Sequence, residues 1–183
     1  MSSLAPKPPE ARLSSPSNGP GAKGTATVSA DRIEALIAAM TLEEKAGQLT
    51  IMPAARAPAP ANAANPAAVA GSVEEQAQAV REGRLGGMFN GDSASWHRQM
   101  QSVAVEESRL GIPLLFAADV IHGFRTIFPV PLAEAAAFDP DLARRTARAA
   151  AEEATATGIV WNFAPMVDIS RDARWGRGVE GAG

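Results

Sequence analysis

The stretch from Gly111 to Gly183 constrains the fold more than any other, because it holds two apolar runs of strand length that each end in charged residues. The first reads Pro113-Leu-Leu-Phe-Ala-Ala-Asp119-Val-Ile-His122-Gly123. The second reads Ile159-Val-Trp-Asn-Phe-Ala-Pro-Met-Val-Asp168 and runs on into Ile169-Ser-Arg171-Asp-Ala-Arg174-Trp175-Gly-Arg177. Charge at the exit of an apolar strand is how an α/β protein holds a ligand at the carboxyl ends of its sheet, where loops converge and water is excluded. The pattern points to an enzyme of polar small molecules.

Helical signals separate the strand-like runs. Ile33, Leu36, Ile37 and Met40 share one helical face. Thr41-Leu-Glu-Glu44 and Ser72-Val-Glu-Glu75 each have the form of a capping box. The second short helix presents Leu42, Ala46 and Leu49, and the third runs to about Glu82, stopped by Gly83. Leu85-Gly-Gly-Met-Phe89 suits a short buried strand whose glycines permit close approach, and a helix over Ser93 to Leu110 follows it. Asp139-Pro140-Asp141 supplies a cap, a first-turn proline and an acidic first turn for a helix that ends at Gly158. The alternation predicts a parallel sheet with right-handed crossovers.

Three strands with two crossovers leave apolar area uncovered, and no helix follows the strand that ends at Asp168. The chain of 183 residues is therefore expected to be the amino-terminal part of something larger. Met1 to Val28, rich in Ser, Pro, Gly and Ala, is expected to be a disordered lead-in, with order from Ser29 onward. Met52 to Gly71, with Pro53, Pro58, Pro60 and Pro66, is expected to be a surface excursion without core. No apolar run has the length of a secretory h-region or a bilayer span. A net charge of −3 carries no footprint for nucleic acid or an anionic membrane. With no cysteine, disulfides and thiolate metal sites are excluded, and nothing in the sequence bears on oligomeric state.

The residues themselves leave several roles open. Asp119 could accept hydrogen bonds from adjacent sugar hydroxyls, or cap a helix, or pair with Arg125. His122 could be a ligand or an acid/base, though a histidine beside Gly123 in a tight loop more often braces that loop. His97 is expected to lie without function among polar neighbours on a helix. Of Arg171, Arg174 and Arg177, which surround Trp175 with Asp172 and Glu180, at most one is expected to reach a substrate. Gly176-Arg-Gly178-Val-Glu-Gly181 matches G-x-G-x-x-G by letter, but a charged segment separates it from its strand, so dinucleotide binding is not expected. No metal-ligand spacing, G-x-S-x-G elbow or Walker loop occurs, so no cofactor is expected.

Taken together, Met40-Thr-Leu-Glu-Glu-Lys-Ala-Gly-Gln48, Ser108-Arg-Leu-Gly-Ile-Pro-Leu-Leu, Asp119-Val-Ile-His-Gly, Thr126-Ile-Phe-Pro, Phe163-Ala-Pro-Met-Val-Asp168 and Arg171-Asp-Ala-Arg-Trp-Gly-Arg177 form a recognisable set. The set resembles the amino-terminal domain of glycoside hydrolase family 3, and within it the bacterial β-glucosidases of the periplasmic type. The resemblance spans Ile33 to Gly183 apart from the Met52 to Gly71 insert. It implies an α/β fold, the N-terminal part of a (β/α)8 TIM-like barrel that is incomplete in this chain. It also implies retaining hydrolysis of β-linked glucosides in carbohydrate catabolism, with a β-glucoside or oligosaccharide as partner. Asp119 and Arg177 take the family's positions for gripping the hydroxyls of the innermost sugar.

Retaining hydrolysis needs two carboxylates about 5 to 5.5 Å apart. In the family the nucleophile is the aspartate of a Ser-Asp-Trp motif, which is absent here, and the acid/base comes from farther along. Both are therefore expected beyond Gly183, and these residues alone are expected not to turn over. Ala173 stands where the family usually has proline, a mild departure. A β-N-acetylhexosaminidase-type member and a non-catalytic carbohydrate-binding remnant remain as alternatives. The resemblance implies export in relatives, whereas this amino terminus shows no signal.

Overall fold

The structure, a computed structural model, describes residues 30–55, 71–91 and 93–182. The Met1 to Val28 lead-in and most of the Met52 to Gly71 stretch lie outside the described residues. Helices α1 (Ala30–Ala39) and α2 (Leu42–Gln48) precede strand β1 (Ile51–Pro53). Then come α3 (Val73–Arg81), β2 (Gly87–Phe89), α4 (Ala94–Ser102), β3 (Leu115–Ala118), α5 (Pro131–Ala135), α6 (Pro140–Thr157) and β4 (Trp161–Asn162). The strands are all parallel and lie side by side in chain order. That order, with helices between the strands, is how a (β/α)8 barrel begins.

Local signals set the helix ends. In α2 the Thr41 hydroxyl accepts from the Glu44 N–H while the Glu44 carboxylate accepts from the Thr41 N–H, and Ser72 and Glu75 repeat the arrangement at α3. Asp139 Oδ1 accepts from the Asp141 and Leu142 amides at 2.9 and 3.1 Å, and Gly158 closes α6 with φ of 102°. The helix expected over Ser93 to Leu110 is less regular: α4 gives way to a π-helical turn at Val103–Glu107.

The strand inventory differs from expectation in two respects. Met52 and Pro53, the start of the stretch expected to be a surface excursion, belong with Ile51 to a fourth strand at the sheet edge. A proline is tolerated at such an edge, where its missing N–H breaks no ladder. The run beginning at Ile159 pairs with β3 only at Trp161 and Asn162, so the strand is much shorter than its apolar letters imply.

Register divides the sheet into two unlike faces. Met52, Met88 and Phe116 are partners across β1, β2 and β3 and so point the same way, beneath α3 and α4. Met88 and Met100 are fully buried there, each side chain contributing about 1.5–3 kcal/mol by its removal from water. A second cluster joins Ala118, Val120 and Ile159 to Ala150 and Ala154 of α6. The opposite face carries Leu115 and Trp161, 51 % and 48 % exposed, with no helix over them among the described residues. The backbone of α2 meets the turn after α3 closely at a glycine: a Cβ on Gly47 would stand 1.9 Å from the Gly83 carbonyl oxygen. The apolar positions of the first two helices do not all turn inward. Leu42 and Leu49 are exposed, and the buried residues of α2 are Glu44 and Gly47.

Candidate active site

The carboxyl ends of β2, β3 and β4 deliver their next residues to one end of the sheet. Asn90 follows β2, Asp119 follows β3 and Phe163 follows β4. The Asn90 amide donates to the Ala117 carbonyl at 2.9 Å, extending the β2–β3 ladder to the point where Asp119 begins. Asp119 is exposed, and its Oδ2 accepts from Asn90 Nδ2 at 3.1 Å. Phe163 lies edge-on to both Phe89 and Trp161, with ring centroids 6.0 and 5.0 Å away.

After β4, Asn162 holds the chain: its Oδ1 accepts from the Val120 and Ala164 amides at 3.1 and 3.0 Å. The charged segment beyond returns towards Asp119. Arg177 forks onto Glu180, with Nε 3.0 Å from both carboxylate oxygens and Nη2 2.5 Å from Oε2. This pairing, reinforced by the negative charges of Asp119 and Asp168, holds the Arg177 guanidinium more firmly protonated than usual. The same contact pulls the Glu180 carboxyl below the ordinary carboxylate range. Arg174 is taken up by Asp172, two positions away, and Arg171 makes no hydrogen bond or ion pair among the described residues. Arg177 thus lies within electrostatic reach of Asp119.

The two histidines are structural. His122 Nδ1 donates to the Phe128 carbonyl at 2.9 Å while the Phe128 amide donates to the His122 carbonyl at 2.7 Å, so this residue braces its loop. His97, expected among polar neighbours, is buried instead. Its Nδ1 lies 2.9 Å from the Thr157 carbonyl oxygen, and its ring packs at 4.5 Å from that of Phe116. A cavity of about 580 Å3 lies beside the site, between α5, α6 and the segment after β4. Glu180 and His122 line it, but Asp119 and Arg177 do not. Among the described residues no group of three or more His, Asp or Glu side chains is placed to hold a metal ion.

Asn90 and Glu180 were not singled out from sequence as site residues. The rule that selected Asp119, a polar residue directly after an apolar strand, applies equally to Asn90 after Leu85-Gly-Gly-Met-Phe89. Glu180 was read as part of the charged loop around Trp175, but its pairing with Arg177 depends on the turn at Gly178–Glu180.

Residues 41–183 match the family model of the glycosyl hydrolase family 3 N-terminal domain. The chain belongs to glycosyl hydrolase family 3. The chain is similar to the periplasmic β-glucosidase of Salmonella typhimurium, 40 % identical over 148 residues that span 81 % of this chain and 18 % of that protein. A β-xylosidase of Formosa agariphila is 32 % identical over 95 residues, 46 % of this chain and 13 % of that protein. The β-glucosidase of Listeria innocua, solved with glucose, superposes with a TM-score of 0.67 at 34 % identity, covering 85 % of this chain and 21 % of that one. The same enzyme has been solved, as a mutant, with laminaribiose. The chain thus spans about a fifth of the length of these β-glucosidases. The incomplete sheet agrees with that share: these residues form part of a family 3 amino-terminal domain.

Proposed function

We propose that the protein is a β-glucosidase that hydrolyses β-linked glucosides with retention, and that this chain supplies part of its sugar-binding shell. The observation that carries the reading is the exposed Asp119 carboxylate at the β3 exit, within electrostatic reach of the Arg177 guanidinium. An ionised carboxylate is acceptor-only, so it receives hydrogen bonds from neighbouring hydroxyls of one sugar ring. Arg177 spends Nε and Nη2 on Glu180, which leaves Nη1 to donate to hydroxyl oxygens. Such contacts accelerate hydrolysis where they tighten as the ring approaches its oxocarbenium-like transition state. The nucleophile and the acid/base are supplied by sequence beyond Gly183, and these residues alone are inactive. A role in carbohydrate catabolism follows from this reading.

The test is made on the full-length enzyme with aryl β-glucoside, β-xyloside and β-N-acetylglucosaminide substrates. The glucoside should be preferred, and Asp119→Ala or Arg177→Ala should each cost about 2–4 kcal/mol in kcat/KM. Preference for the N-acetylglucosaminide would move the protein to the hexosaminidase branch. Wild-type kcat/KM in both variants would remove Asp119 and Arg177 from the sugar site. Sugar binding without turnover by the full-length protein would point to a carbohydrate-binding remnant.

A further inference from the structure

We propose that Asn90 is the positioning residue for the sugar-gripping carboxylate: its side-chain amide clamps Asp119 at two points before any substrate arrives. Asn90 Oδ1 accepts from the Asp119 backbone N–H at 3.2 Å, and Asn90 Nδ2 donates to Asp119 Oδ2 at 3.1 Å. A backbone N–H can only donate, so Oδ1 must face it. The amide group is thereby oriented, and its N–H2 is left facing the carboxylate. Asn90 itself is held by its own N–H on Ala117 and sits at φ of 57°, a left-handed conformation that asparagine tolerates and branched residues do not.

The consequence is pre-organisation. Asp119 is exposed and would otherwise sample several rotamers, each pointing its oxygens differently. One planar group bonded to both its backbone and its side chain removes that freedom in advance, so less ordering is left for substrate binding to supply. The donor is also neutral. It therefore leaves the negative charge of Asp119 for the sugar and for Arg177, whereas a lysine in its place would compensate that charge.

This inference rests on the reading of Asp119 as the acceptor of sugar hydroxyls, and a double-mutant cycle on the full-length enzyme separates the two. Asn90→Ala should lower kcat/KM for an aryl β-glucoside about 10- to 100-fold. Added to Asp119→Ala, it should change kcat/KM by less than about twofold. If Asp119→Ala is damaging while Asn90→Ala is not, or if the two losses multiply, Asn90 is not a positioning residue. If Asp119→Ala is itself silent, the reading of the sugar site fails instead.

Asn90→Asp guards against a variant that merely folds badly, since it keeps the size and the acceptor of the native side chain. Its carboxylate would face that of Asp119, and a proton shared between them would restore the lost donor. The Asp119 charge also acts on Arg177, which is in turn within reach of Glu180 and Asp168, and all three are unchanged in the variant. The ratio of variant to wild-type kcat/KM should therefore rise as pH falls. A ratio flat across pH would mark a purely structural effect and overturn the proposal.

Discussion

Arg109 reaches across 65 positions of sequence to grip both carboxylate oxygens of Glu44, with Nε 2.8 Å from Oε1 and Nη2 against Oε2. The same carboxylate completes the capping box with Thr41, and Arg109 also donates to the Ala39 carbonyl at 2.8 Å. One ion pair thus ties the α1–α2 junction to the loop that leads into β3. Glu44 is buried while the Arg109 side chain is 30 % exposed, so removing Arg109 strands a carboxylate away from water, and removing Glu44 takes away the Thr41 cap and the ion pair together. Glu44→Ala should destabilise the fold by about 3 kcal/mol, read as a shift of the urea midpoint.

The pH dependence of that contact has a definite sign. The Arg109 hydrogen bond holds the Glu44 carboxyl below the ordinary carboxylate range. A depressed folded pKa contributes stability that is present above the unfolded value, about 4.3, and is lost as pH falls through the folded one. The stability gap between wild type and Glu44→Gln should be full at neutral pH and shrink below about pH 4. A gap that widened on acidification would contradict the pairing.

Glu153 of α6 collects three donors from one loop: the Arg125 amide at 2.7 Å, the Thr126 amide at 2.8 Å and the Thr126 hydroxyl at 2.7 Å. These bonds pull its carboxyl below the usual range, by the same rule of sign. In Glu153→Ala, hydrogen exchange at the Arg125 and Thr126 amides should speed up by about tenfold or more while the α6 amides stay protected. Unchanged exchange would show that the loop is held by other means.

Gly123 sits at φ of 104°, and a Cβ there would stand 1.9 Å from the Thr126 carbonyl oxygen. Backbone is what it would strike, so no side chain can swing aside. Gly123→Ala should cost about 2–3 kcal/mol and open the turn braced by His122. A melting temperature equal to wild type would be the contrary result.

Glu180→Gln should keep Arg177 close to its place but weaken the charge-assisted fork that aims it. In the full-length enzyme the expected loss of kcat/KM is smaller than that of Arg177→Ala. Equal losses would mean that Glu180 acts on the substrate itself.

How far the letters carried depended on whether each signal was local. Thr41, Ser72, Asp139 and Gly158 all mark helix ends where the sequence placed them, because a cap is satisfied by neighbours two to four residues away. β1 was hidden because its strand character is conferred from a distance. Gln76 of α3 donates to the Pro53 carbonyl and accepts from the Ala55 amide, both at 2.8 Å, and so holds an Ala/Pro-rich stretch in strand form. The 3.6-residue period in α1 announced a helix but not a partner, and Ile33 and Ile37 remain 47 % and 42 % exposed. At the site, Asp119 was legible from its place after β3. Its coupling to Asn90 was not, because 29 residues separate them and only the parallel register of β2 and β3 brings them together.

The unequal faces of the sheet bear on how the chain is made. Among the described residues each of β2, β3 and β4 pairs with the strand before it, so each can join an edge that already exists as synthesis proceeds. The helix-covered face can therefore become dry early. Leu115, Trp161 and Phe163 stay wet until something is laid over them, and through that interval the growing protein presents apolar side chains to its neighbours.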